Sequence, residues 1–404
     1  VTRAGLDIRE LREDDLDAEF DLRHRAFGPL AEADRPQWIA SLRPAIRDGR
    51  VLGVYDGPAL VGSANFHDMR QWWNGRSLPM AGVAGVKVAP EQRGRGIGRA
   101  MMTELLGVIA ARGYPVAVLF PVTAPIYRSL GWEIAGALHE VAIPARSLGS
   151  LLPADTGPLP APPPLRRAGP DDAAEVLAVI GRVHEAARDC GPNTRDAGSM
   201  RDWLASPSIF AYLAPDGFLS YGWHGDGEIL VDLAVAGSAE TTRAIWEIVA
   251  SHASMAQTVR AWLGPDDALG WLTREPDARP QPGKRWMLRL VDAAAAIAAR
   301  GFPAAVELSV ALRIHDAALA ANSGLWILQV SGGQGALTPY ETARGPHLPS
   351  AAPVRIGARG LAALYGGVPV PTLRRAGLVA DGDPDADAAL GCAFAGPAFM
   401  ADDF

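Results

Sequence analysis

The sequence predicts an α/β (α+β) chain: two related α/β units in tandem, followed by a smaller α+β unit. Three observations carry this expectation. A strand, a glycine-rich loop, a helix and a short apolar strand follow one another over residues 82–120. The strand-to-helix order returns over residues 228–251, beyond a proline-rich segment. Near the end, Val306, Leu308, Val310, Leu312 and Ile314 alternate with other residues, the period of a strand with one buried face.

In order along the chain, residues 11–26 read as a helix. Residues 51–55 and 59–66 read as strands paired around the Asp56-Gly57 turn. Residues 82–89 form the next expected strand. A helix over 96–112 places Ile97, Met101, Leu105 and Val108 on one face, with Gly113 positioned to end it. Residues 116–120 complete a β-α-β unit. Pro153, Pro158, Pro160, Pro162, Pro163 and Pro164 can neither continue a helix nor donate to a sheet, so residues 151–164 read as a linker. Unit boundaries at 1–150, 165–284 and 285–404 follow. In the second unit the glycine loop is replaced by Gly237-Ser238-Ala239-Glu240-Thr241-Thr242. That points to a diverged duplicate, or to a chance recurrence of a common β-α order. In the third unit, residues 289–300 are expected as a helix, 325–330 as a strand, and 357–365 and 385–394 as short helices.

The net charge of −7 argues against phosphate-backbone binding, which needs clustered Lys and Arg, so no nucleic-acid partner is expected. Two cysteines, Cys190 and Cys392, without a CxxC or a metal-ligand spacing imply neither a disulfide framework nor a metal. The N-terminal VTRAGLDIRELRED lacks an apolar core, and no run of 18 apolar residues occurs. No membrane association and a cytoplasmic location are therefore expected.

Chemistry concentrates in Arg93-Gly94-Arg95-Gly96-Ile97-Gly98. Glycines between a strand and a helix let backbone N–H groups face an anion where the helix dipole also favours negative charge, and Arg93 and Arg95 add charge-assisted contacts. The spacing matches neither the Walker loop nor the dinucleotide GxGxxG. The competing reading is a plain strand–helix turn.

The stretch from Val86 to Gly98, Val-Lys-Val-Ala-Pro-Glu-Gln-Arg-Gly-Arg-Gly-Ile-Gly, resembles the acetyl-CoA motif of the GNAT acetyltransferases. Further stretches narrow the resemblance to the Eis (enhanced intracellular survival) family: Gly113-Tyr114-Pro115-Val116-Ala117, Ile126-Tyr127-Arg128-Ser129-Leu130-Gly131-Trp132, Leu288-Arg289-Leu290 with 295–301, and the ending 393–404. The resemblance implies tandem GNAT folds, the second degenerate, followed by a sterol-carrier-protein-like domain. It also implies acetyl-CoA as cosubstrate, with no metal. Val86 and Val88 would meet the pantetheine arm, and Arg93, Gly94, Arg95, Gly96 and Gly98 the pyrophosphate. Tyr127 would be the acid and the α-carboxylate of Phe404 the base in acetyl transfer to a primary amine of an aminoglycoside, polyamine or lysine-like molecule. Hexamers built from trimers are the family's assembly.

The family carries an acidic residue shortly after the phenylalanine of the first helix and loop, whereas here Phe27 is followed by Gly28-Pro29-Leu30. Glu32, Asp34 and Asp403 are the candidates to attract a cationic acceptor, and Trp38 matches a family tryptophan. Lys87 either faces solvent or biases the pocket against polycations. Trp72 and Trp73, with a loop over residues 68–79, either rim the pocket or belong to the core. Two other readings remain: a noncatalytic small-ligand-binding protein with a vestigial coenzyme site, and a related enzyme redirected to a biosynthetic acceptor.

Overall fold

The computed structural model describes residues 5–225, 227–275, 277–342 and 352–404; Val1 to Ala4 of the N-terminal segment discussed above lie outside them. The first unit contains β1 (Leu6–Glu10), α1 (Leu16–Phe27), α2 (Arg35–Arg47), β2 (Val51–Asp56), β3 (Ala59–Trp73), β4 (Arg76–Val88), α3 (Ile97–Ala111), β5 (Val116–Leu119), α4 (Pro125–Arg128), β6 (Glu133–Leu138) and β7 (Glu140–Pro144). Beyond the prolines come β8 (Arg166–Ala168), α5 (Ala173–Ala187), β9 (Cys190–Thr194), α6 (Ala197–Leu204), β10 (Phe210–Ala214), β11 (Gly217–His224), β12 (Glu228–Ala236), α7 (Ala239–Ala250), β13 (Thr258–Trp262), α8 (Leu269–Leu272) and β14 (Arg279–Pro280). The third part holds β15 (Lys284–Leu290), α9 (Ala293–Ala299), β16 (Leu308–His315), β17 (Gly324–Ser331), β18 (Gln334–Pro339), β19 (Val354–Gly357), α10 (Ala358–Tyr365), α11 (Val370–Arg375), β20 (Val379–Ala380), α12 (Pro384–Ala393) and β21 (Ala398–Met400).

Three sheets result. The first runs β1-β2-β3-β4-β5-β15-β6-β21, with β9 paired to the far end of β3; the second runs β14-β7-β13-β12-β11-β10-β8 and the third β18-β17-β16-β19-β20. The first two exchange strands. β7 leaves the first unit to pair with β13, while β15 returns to fill the gap between β5 and β6. The two units therefore share a hydrogen-bonded framework across the linker.

Two expectations need correction. Residues 289–300 are not one helix, because Arg289 lies in a strand that runs to Leu290 and the helix starts only where the Asp292 carboxylate accepts from Ala295 N at 2.9 Å. Buried Arg289 is held there by two 2.6 Å bonds to Asp316. Residues 68–79 are not a loop either. β3 and β4 continue as a long hairpin that turns at Asn74-Gly75, both at positive φ. Trp73 is fully buried against Trp286 and Tyr365, which makes it core, and Trp72 packs beside His184.

The repeated β-α-β order is present: β4 runs parallel to β5 across α3, and β12 runs parallel to β13 across α7. Among the described residues no helix is long and apolar enough to cross a membrane, and no cluster of three potential metal ligands occurs.

Candidate active site

β4 and β5 pair only where Met80 faces Val116, Ala81 faces Ala117 and Gly82 faces Val118. Beyond Gly82 they separate and leave a fork. The separation has a cause in β4. Ser63 faces Lys87 and Asn65 faces Ala84, so Gly85 and Val86 together oppose Ala64 as a bulge. Gly85 sits at φ +61°, and a Cβ there would lie 2.3 Å from Asn65 Oδ1, so this bulge requires glycine. Val86 and Val88 are half-buried on the edge of the fork.

The glycine loop follows directly. Gly94 and Gly96 adopt left-handed φ of +78° and +81°, and Gly96 is the N-cap of α3. Arg93, Gly94, Arg95 and Gly96 are exposed, at a helix end whose first N–H groups have no partner within the helix. Gly98 acts differently. A Cβ there would meet Ile126 at 3.0 Å, so this glycine lets α3 pack against α4, the short helix that carries Tyr127.

Tyr127 is buried in the cluster containing Ala81, Val83, Ala117 and Leu119, with its ring edge-on to Trp132. Burial raises its hydroxyl above the ordinary tyrosine range, so at neutral pH it keeps its proton. Phe404 lies at the same fork. Its ring packs against Phe120 and His67, and a Cβ on Gly82 would come within 2.9 Å of it. Side chains alternate across a strand, and Phe404 packs with the cluster containing Met80 and Val118, so Tyr127 and Phe404 approach from opposite faces of the sheet. Arg195 fastens the tail by pairing with both oxygens of Asp402 and donating to Asp403 O at 3.1 Å. His67, beside the Phe404 ring, is held below its usual pKa by burial and then by Arg50 and Arg195.

The acidic candidates are not gathered at the fork. Glu32 and Asp34 are exposed, with Glu32 bonded to Arg35 at 3.0 Å and Asp34 starting α2. Trp38 is half-buried, edge-on to Phe20, and Asp403 pairs with Lys284. Lys87 does not face solvent. Its Nζ lies 2.6 Å from Glu19 Oε1, donates to Gly85 O at 3.1 Å, and stands 5.8 Å from the Phe27 ring. Ser63 Oγ also donates to Glu19 Oε1, at 3.0 Å. The cation expected to bias the pocket is therefore neutralised within it. Sequence reading did not find Glu19, 68 positions away, nor Arg195 and His67. The glycine one residue before Val86 was the available sign of the bulge.

The family described as acetyltransferase (GNAT) domain matches residues 7–135, and a second family of that description matches residues 191–290; the sterol carrier protein domain matches residues 293–400. An uncharacterized N-acetyltransferase of Streptomyces avermitilis is 31% identical, covering 94% of this chain and 94% of its own. The N-acetyltransferase Eis of Mycobacterium tuberculosis is 28% identical, covering 82% of this chain and 84% of its own. Among solved structures, a GCN5-related N-acetyltransferase from Kribbella flavida superposes with a TM-score of 0.91 at 42% identity, covering 99% and 98% of the two chains. Eis1 from Mycobacterium abscessus gives a TM-score of 0.76 at 26% identity, covering 98% and 100%.

Proposed function

Because the chain belongs to the Eis family of GNAT N-acetyltransferases, enzymes that use acetyl-CoA as cosubstrate, we propose that it acetylates a primary amine of a small cationic molecule by direct attack in a ternary complex. Aminoglycosides, polyamines and lysine-like amines are the acceptor classes. What supports the reading is that Tyr127 and Phe404 flank the strands of one fork from its two opposite faces. The residues around that fork fit the coenzyme. The bulge frees strand backbone at Gly85 and Val86 for a pantetheine arm, and the exposed loop from Arg93 to Gly98 suits a pyrophosphate.

An ammonium near pKa ~10 cannot attack until it loses a proton, and a departing thiolate is stabilised by gaining one. The Phe404 α-carboxylate takes the first proton, and the Tyr127 hydroxyl supplies the second. The tail's own anchors, Arg195 on Asp402 and Lys284 on Asp403, hold the carboxylate in register. Hexamers in the cytoplasm belong to the same reading, and light scattering on the purified protein would check the assembly.

The test is release of CoA from acetyl-CoA over a panel of aminoglycosides, polyamines, lysine peptides and arylalkylamines. Turnover with a primary amine supports transfer. Binding of acetyl-CoA with no turnover on any amine would instead favour a noncatalytic ligand-binding protein.

Arg93→Ala separates binding from chemistry. Loss of one charge-assisted contact, about 1.5–3 kcal/mol, should raise KM for acetyl-CoA roughly 10- to 150-fold with kcat little changed. An unchanged KM would remove Arg93 from the coenzyme site.

A further inference from the structure

The second unit has a fork of its own. β12 and β13 pair from Glu228 with Thr258 to Val231 with Ala261, after which β12 runs on to Ala236. No glycine loop follows it; Ser238 caps α7 instead, through Thr241 N. The C-terminal segment fills part of this opening. A Cβ on Gly264 would touch the Phe399 ring at 3.3 Å, and Ala401, Asp402 and Asp403 line a cavity of about 190 Å³ beside Asp232 and Trp262. The tail thus passes through the second fork before Phe404 reaches the first.

The cavity wall holds polar groups with nothing to bond. Asn193 is 5% exposed, and both its Oδ1 and its Nδ2 are without a hydrogen-bond partner among the described residues. His184 is 2% exposed; its Nδ1 lies 2.8 Å from Asp189 Oδ2, and its Nε2 has no partner among the described residues. The contact with Asp189 leaves Nε2 as the ring nitrogen open to a further partner, and His184 lines the cavity. Leaving such atoms buried and unpaired is costly, and a ligand that bonds them recovers that cost.

We propose that this second fork is a small-molecule site for a primary ammonium compound with a compact apolar body, and that its occupant steadies the C-terminal segment. Carboxylates dominate the charged lining of the cavity, with Asp232, Asp402 and Asp403 beside the unpaired Asn193 amide. Arg195, the cation present, is already taken by Asp402. An ammonium brings three donors and the complementary charge. Leu177, Ile180, Met200, Trp203 and Trp262 provide walls for an apolar body. Burial, then the facing Asp402, pushes the Asp232 carboxyl up to about 6, against the opposing pull of Arg195, while Asp403 adds to the rise. An incoming cation reverses that shift, so binding near pH 6 expels a proton. The coupling to the tail rests on the role proposed above for Phe404; the site itself does not.

Phenethylamine is a suitable probe, titrated calorimetrically into the full chain saturated with CoA and without acetyl donor, so that failure of acetyl transfer cannot affect the result. Asn193→Leu is expected to weaken one binding event at least tenfold while melting at or above the wild-type temperature, because it removes an unpaired buried amide. Asp232→Asn should weaken the same event. On adding the amine, hydrogen exchange across residues 398–404 should slow several-fold in the wild type and not in Asn193→Leu. Absence of binding, or binding that survives both substitutions undiminished, overturns the site. Unchanged exchange despite binding overturns the coupling.

Discussion

Tyr127→Phe is expected to lower kcat for amine acetylation about 10²- to 10⁴-fold, the usual range for a positioned general acid, with KM for acetyl-CoA nearly unchanged. The ring keeps its place because phenylalanine fills the same space against Trp132 and Leu130, so the change removes one proton donor and little packing. Burial raises the Tyr127 hydroxyl above the ordinary tyrosine range, so the acid form persists and the rate should not fall on this group's account until pH rises beyond that range. Two residues appended after Phe404 should cause a loss of similar order, by converting its carboxylate into an amide and crowding the ring from its seat on Gly82. Groups acting in one step are not additive, so the combined variant should lose far less than the product of the two effects. Wild-type rates in both single variants would sink the mechanism.

The first unit could be read from sequence where local rules suffice. The loop at Gly94 and Gly96, the Asp56-Gly57 turn and the apolar face of α3 each depend on neighbours within a few residues. The Asn74-Gly75 hairpin was equally local and was overlooked in favour of a loop over residues 68–79, because two adjacent tryptophans suggested a pocket rim. Residues 289–300 failed for another reason. An alanine run with strong helix preference extended the expected helix backward over Arg289, whose strand conformation is imposed by β5 and β6 from across the chain. No local signal could announce the exchange of β7 and β15 between units, the passage of the tail through the second fork, or the pairing of Lys87 with Glu19. All three are set by contacts more than 60 residues apart.

Lys87→Met is expected to destabilise the first unit by about 3–5 kcal/mol, because it leaves Glu19 as an uncompensated charge at 1% exposure. In the calorimetric melting temperature this corresponds to a fall on the order of 10 °C. Among the described residues Glu19 Oε2 is already without a partner, so the carboxylate has little to fall back on beyond Ser63. Replacing both members, Glu19→Leu with Lys87→Met, should recover most of the loss, since a buried pair exchanged for apolar side chains of similar volume is often neutral. The cycle therefore separates the pair's coupling from simple packing. The activity of the double variant carries separate information. Lys87 Nζ also holds Gly85 O, one of the two residues that form the bulge, so even a well-folded double variant should bind acetyl-CoA more weakly as the fork loses that tie. The pair's net charge is zero before and after, so affinity for a cationic acceptor should change little. A single variant as stable as wild type would show that the ion pair contributes nothing. A double variant with unaltered KM for acetyl-CoA would separate the pair from the shape of the coenzyme strand.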